Sequence, residues 1–225
     1  MLELSPDEAR VLGVLIEKAT TTPEQYPLSL NAIVNGANQK NNRDPVTAMT
    51  EDAAFAAVEG LRGKGLAVRV DQASARVQKY KHHAVETLHV RTGEAAILAE
   101  LLLRGPQTLG ELRGRASRMA PIETLDAVKE LVRALSDRSE PLVKEIPPHP
   151  GSRAERFVQL LCPTLHPVDG GAAAVSAPVA NTSGAPNLVD RVAKLEQEVA
   201  ELRGALQRLS AALGETDAGD SKSQI

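Results

Sequence analysis

Apolar residues recur along the chain with helical spacing in three short runs and then alternate as in strands, and this order occurs twice. Ser5 precedes Pro6, Asp7 and Glu8, the arrangement of an N-cap, a proline at the first helical position and acids in the first turn. Val11, Leu12, Leu15 and Ile16 follow as one helical face, stopped by Thr20, Thr21, Thr22 and Pro23. A second helix is predicted from near Ser29, with Leu30, Ile33, Val34 and Ala37 inward, and Asp44-Pro45 breaks the chain after it. A third is predicted from Thr50, with Phe55, Val58 and Leu61 inward and Gly63-Lys64-Gly65 at its end. Leu66, Val68 and Val70 then alternate with Ala67, Arg69 and Asp71, Gln72 to Ala75 read as a turn, and Arg76 to Lys81 alternate again.

The second pass starts near Thr92. Ala96, Ile97, Leu101 and Leu102 mark a helix that Gly105-Pro106 ends. Thr108 caps a short helix with Leu109 and Leu112 inward. Pro121 is expected to start the next, with Leu125, Val128, Leu131, Val132 and Leu135 inward. Leu142 to Ile146 and Arg156 to Leu161 are the hairpin strands, joined by a loop rich in proline and glycine. Three helices and a hairpin, repeated, predict a mainly α fold with small β-hairpins: tandem winged-helix domains at 1–90 and 91–163. Residues 164–187 are rich in Ala, Gly, Ser, Pro and Val without a period, and are expected to be a disordered linker.

From residue 188 to 213 the period becomes seven. Leu188, Leu195, Leu202 and Leu209 fall at d positions, and Val192, Val199, Leu206 and Leu213 at a positions. β-branched residues at a with leucine at d favour a parallel two-stranded coil. Arg191 would face Glu196 of a second copy, and Glu198 would face Arg203. A homodimer is therefore expected; the competing reading is one amphipathic helix folded back on the domains. Residues 214–225 are polar and expected to fray.

Composition narrows the class. The chain has 225 residues, 42% hydrophobic but only 2% aromatic, so its core must be aliphatic. The single cysteine, Cys162, excludes a disulfide within one chain and suggests a reducing, cytoplasmic compartment. No basic-then-apolar leader opens the sequence and no apolar run reaches membrane-spanning length, so no membrane association is expected.

Catalytic signatures are absent: no glycine-rich phosphate loop, no nucleophile elbow and no His-Glu-x-x-His pair. The expectation is a non-enzyme without cofactor or metal. His82-His83 would point to opposite faces of a strand. Cys162 and His166 read as a small core residue and a surface histidine.

Asn31, Asn35 and Asn38 share the polar face of the second helix, followed by Gln39, Lys40, Asn41, Asn42 and Arg43. Asn38, Gln39, Asn42 and Arg43 are candidates for base edges, since Asn and Gln suit adenine and Arg suits guanine. The same residues also suit a helix end and a turn. Arg62, Lys64, Arg69, Arg76, Lys79 and Lys81 stand against one acid, Asp71, and are candidates for phosphates; Arg113, Arg115 and Arg118 form a second basic cluster. The net charge is −3 overall, however. The third helices carry Glu51, Asp52 and Glu59 in one unit and Glu123, Asp126 and Glu130 in the other, and carboxylates there repel phosphates.

Leu28-Ser29-Leu30-Asn31, Asn38 to Pro45, Arg104 to Thr108 and Gly110 to Arg113 stand in an order that resembles the YceH-like family of uncharacterised bacterial proteins. The resemblance covers about residues 2–163 and implies a tandem winged-helix fold in a bacterial cytoplasm, with no activity attached. Two functions are compatible with these residues. A dimeric DNA-binding regulator would place the wing cations on phosphates. A protein-interaction module would use the acidic third helices. The basic wing and the fold tip the expectation toward nucleic acid, although fold by itself is a weak guide to function.

Overall fold

The computed structural model describes residues 2–70, 77–149, 151–166 and Gly204. The first three residues of the expected linker, 164–166, are described and pack against the fold, whereas residues 167–187, the heptads and tail apart from Gly204, and Arg76 lie outside the described residues.

Helix α1 (Pro6–Thr21) opens with a reciprocal cap: Glu8 N donates to Ser5 Oγ at 3.2 Å, and Ser5 N donates to Glu8 Oε2 at 2.7 Å. Every residue from Glu8 to Glu17 is buried, so α1 is not a surface helix with one apolar stripe but a central one packed on all sides. Strand β1 (Leu28–Ser29) leads into α2 (Leu30–Ala37), capped by Ser29. α3 (Glu51–Gly63), capped by Thr50, is followed by β2 (Ala67–Val70) and β3 (Lys79–His82). The sheet order is β1-β3-β2, antiparallel throughout.

A short helix, α4 (Ala84–Thr87), joins this half to the next. α5 (Thr92–Arg104) is again buried from Glu94 to Leu103. β4 (Gln107–Thr108), α6 (Leu109–Ala116), α7 (Leu125–Ser136), β5 (Val143–Ile146) and β6 (Arg156–Gln159) repeat the first half, with sheet order β4-β6-β5. The result is a mixed helical fold with two small antiparallel sheets.

α1 and α5 pack on each other, so both halves share one core. Gly13 lets them close: a Cβ at that position would lie 2.8 Å from Leu103 Cγ. Backbone bonds also cross between the halves. Asp44 N donates to Leu103 O at 2.8 Å, and Leu4 N donates to Leu161 O at 2.7 Å.

Four expectations from the sequence need correction. Phe55 and Leu125, expected inward, are 47% and 43% exposed. α7 starts at Leu125 behind the Thr124 cap, because Thr124 Oγ1 accepts from Ala127 N and Pro121 lies before the helix. The hairpins are three-stranded sheets, since β1 and β4 add to β3 and β6; two residues are too short to show an alternation. His166 is buried, not on the surface. Cys162 is a core residue, as expected.

Candidate functional site

The candidate base-reading residues sit at the end of α2, and the fold holds two of them internally. Asn38 latches the connection to α3: its Nδ2 donates to Met49 O at 2.8 Å and its Oδ1 accepts from Met49 N at 2.7 Å. Arg43 turns into the core. Its Nε donates to Gly36 O at 2.9 Å and its Nη2 lies 2.6 Å from Glu17 Oε2, with the two side chains 0% and 1% exposed. Gln39 is half-buried, and Asn42 is exposed in the left-handed region at φ 66°.

Glu17 anchors more than Arg43. Its Oε1 accepts from Arg118 Nη2 at 2.5 Å, and the same nitrogen lies 2.8 Å from Glu100 Oε1. Arg104 Nε is 2.8 Å from Glu100 Oε2, an ionic contact without hydrogen-bond alignment. An ion network thus runs from Arg43 in the first half through Glu17 to Arg118, Glu100 and Arg104 in the second. Burial by itself would raise the Glu17 carboxyl, but the hydrogen bonds and charges of Arg43 and Arg118 outweigh it and hold it below the ordinary carboxylate value. Arg10 lies beside the network. It donates to Leu103 O and Pro45 O, and burial together with the Arg43 charge lowers its pKa to about 10. Glu17, Glu100, Arg10 and His166 were not candidates from sequence, because no spacing signal links residues a hundred positions apart.

His166 closes the same seam. Its Nε2 lies 2.8 Å from Asp44 O. A carbonyl only accepts, so Nε2 carries the proton and the buried Nδ1, which has no partner among the described residues, is bare. Burial holds its pKa below the usual histidine value, reinforced by Arg10 and opposed by Asp44. The His82 imidazole is likewise depressed by burial, while its backbone amide N–H donates to Tyr26 Oη at 2.6 Å.

The basic clusters are also largely answered from within. Lys64 pairs with Glu8, Arg62 with Glu59 at 2.6 Å, and Arg115 with Gln107 Oε1 at 2.8 Å and Glu111 at 3.3 Å. Arg113 is exposed. The wing cations do not form one face. In the β2–β3 register Lys81 opposes Val68 and Lys79 opposes Val70, while Arg69 opposes the buried Tyr80. Directly opposed residues share a face, so Arg69 stands on the opposite side of the sheet from Lys79 and Lys81.

The exposed faces of α3 and α7 differ. On α3, Glu51, Asp52, Phe55 and Ala56 are exposed together, and Glu51 and Asp52 form no ion pair among the described residues. On α7, Lys129 pairs with Asp126 and Arg133 with Asp137. Among the described residues no three metal-ligating side chains converge, and no helix is long and apolar enough to cross a membrane.

Comparison with known proteins places this geometry. A UPF0502 protein of Koribacter versatilis is 46% identical over 201 residues, covering 89% of this chain and 91% of the relative. A UPF0502 protein of Geobacter sulfurreducens is 50% identical over 158 residues, covering 70% and 72%. The model of the family described as "Protein of unknown function, DUF480" matches residues 4–152, and the chain therefore belongs to this DUF480, or UPF0502, family of uncharacterised bacterial proteins.

Proposed function

We propose that this chain is a tandem winged-helix docking protein that binds a basic, apolar-flanked segment of a partner protein on the exposed face of α3. The winged-helix reading is supported by the repeated order of helix, short strand, two helices and hairpin, with matching sheet orders. The docking reading is carried by one observation: Phe55 is exposed between Glu51, Asp52 and Ala56. Aromatic rings are favoured binding anchors, and Phe55 offers one; the unpaired carboxylates around it repel phosphates and attract cations. The expected coiled coil would present two such faces and add avidity.

A photo-crosslinking amino acid at the exposed Ala56, introduced in cells, tests this reading. The expected product is a discrete protein adduct whose linked peptide carries Lys or Arg beside an apolar residue. It should disappear when Glu51 and Asp52 are both replaced by Lys. Adducts with nucleic acid, or a protein adduct indifferent to that charge reversal, overturn the reading.

The nucleic-acid reading retains one supporting observation. Lys79 and Lys81 share a face of β3 and form no ion pair among the described residues. Titration of DNA fragments at two salt concentrations separates the two readings. Binding that falls steeply with salt and weakens in the Lys79→Glu, Lys81→Glu double variant favours DNA; no binding at low salt favours docking.

A further inference from the structure

A cleft of about 420 Å³ opens where the end of α3, the α4–α5 junction, the turn after α7 and the chain following β6 meet. Its rim carries Lys64, His89, Arg138 and Ser139, and Leu88 and Leu142 lie on its apolar lining. The size falls within the roughly 300–1,000 Å³ of small-molecule sites, and a seam between two packed units is a preferred place for one. The lining has two cations, Lys64 and Arg138, and one carboxylate, Glu140. Lys64 is answered from behind by Glu8, and Glu140 has an interaction of its own.

Arg138 is different. Its Nη1 donates to His89 O at 3.2 Å and its Nη2 to Leu88 O at 2.5 Å, and it forms no ion pair among the described residues. Two carbonyls therefore fix the guanidinium without neutralising it, and a guanidinium has five donors, so three remain beyond these ties. His89 adopts φ 51°, a left-handed conformation that is costly for a residue with a Cβ. That conformation places the His89 carbonyl where Arg138 uses it. A held, uncompensated arginine beside an apolar lining is preorganised for an anion.

We propose that this cleft binds a small organic anion, a carboxylate or phosphate monoester on a compact apolar body. Arg138 meets the charged head, and Leu88 and Leu142 cover the body. The site is separate from the α3 face and stands whether or not that face docks a protein.

Titration of the full-length, nitrogen-15-labelled protein with phenyl phosphate, phenylacetate and inorganic phosphate, followed by amide and guanidinium shifts, tests it. Saturable shifts confined to residues 87–89 and 138–142 are expected with at least one of the two organic anions. The tighter of the two identifies the head group. Inorganic phosphate should bind roughly tenfold more weakly, because it leaves the apolar lining uncovered. Ser139→Glu, which sets a carboxylate at the exposed rim without touching the Arg138 ties, should weaken binding by about tenfold or more. Arg138→Met should do the same, and Ser139→Glu separates loss of ligand from loss of fold. The proposal is overturned if neither organic anion gives saturable shifts there below roughly 10 mM, or if Ser139→Glu leaves the binding unchanged.

Discussion

α3 and α7 occupy the same place in the two halves, yet they are held and finished differently. α7 follows a short connection, residues 117–124, and four of its surface charges pair along the helix itself, Asp126 with Lys129 and Arg133 with Asp137, although Leu125 and Glu130 are exposed on it too. α3 follows a longer connection, residues 38–50, that is tied at three points, once within itself and twice by distant side chains. Asn38 fixes Met49, Glu17 fixes Arg43 and His166 fixes the Asp44 carbonyl. Its outer face is left unanswered, with an exposed phenylalanine among carboxylates. A helix most of whose charges pair with each other has less to offer a partner. A helix anchored from behind and unsatisfied in front is arranged to be used.

The largest test of this contrast is Glu17→Gln. It leaves Arg43, whose side chain is 0% exposed, without its carboxylate, and breaking a buried pair in this way costs about 3–5 kcal/mol. Urea unfolding measures the loss. Because Glu17 also binds Arg118, amide exchange should quicken in both halves together; quickening limited to residues 2–70 would show that the seam does not couple them.

Asn38→Ala should cost less, about 1–3 kcal/mol, since it leaves the Met49 amide and carbonyl without their partner. It should also loosen α3 while α7 stays protected, which exchange at the two helices compares directly. Equal protection in both would mean that the latch does not set α3 apart.

A milder effect is expected from pH. His166 is held below its ordinary value by burial and Arg10, and His82 by burial. A depressed folded pKa contributes stability above the unfolded value, near 6.5, that is lost as pH falls through the folded one. The urea midpoint should therefore fall on going from about pH 7.5 to pH 5.5, and less so in His166→Gln. Glu17, also depressed, acts in the same direction but below the ordinary carboxylate range. A midpoint that rises on acidification, or an identical slope in the variant, contradicts the part given to buried His166.

The smallest expected change in stability is at Phe55. Phe55→Ser removes an exposed ring and should alter stability by no more than about 0.5 kcal/mol, yet it should abolish the adduct formed at position 56. A large stability loss would mean that the ring packs, and that α3 is no more available than α7.

Most of the scaffold was legible from local signals. The caps at Ser5, Thr50 and Thr108 were read correctly, because a cap joins atoms only three residues apart; the helix start near Ser29 was also read, though its cap was seen only in the structure. The errors at Phe55 and Leu125 arise from the same locality. Helical spacing says which residues share a face, but near a helix N-terminus it does not say whether another element covers them. The candidate cations show the same limit more sharply. Arg43, Arg115 and Arg118 look alike as basic residues in the sequence. Only Glu17, Gln107 and Glu100, brought up by other elements, decide that they face inward partners.

The sequence by itself determined the repeated order of elements, the aliphatic core and the capped helix starts. Each depends on spacings of a few residues that neighbouring chain cannot easily override. The tertiary structure alone decided that α1 and α5 merge two repeats into one core, that Glu17 joins arginines from both halves, and that Arg138 is held without a counter-ion among the described residues beside a cleft. Those facts depend on which side chains meet across long separations, and on how burial makes a charge costly until something pairs with it.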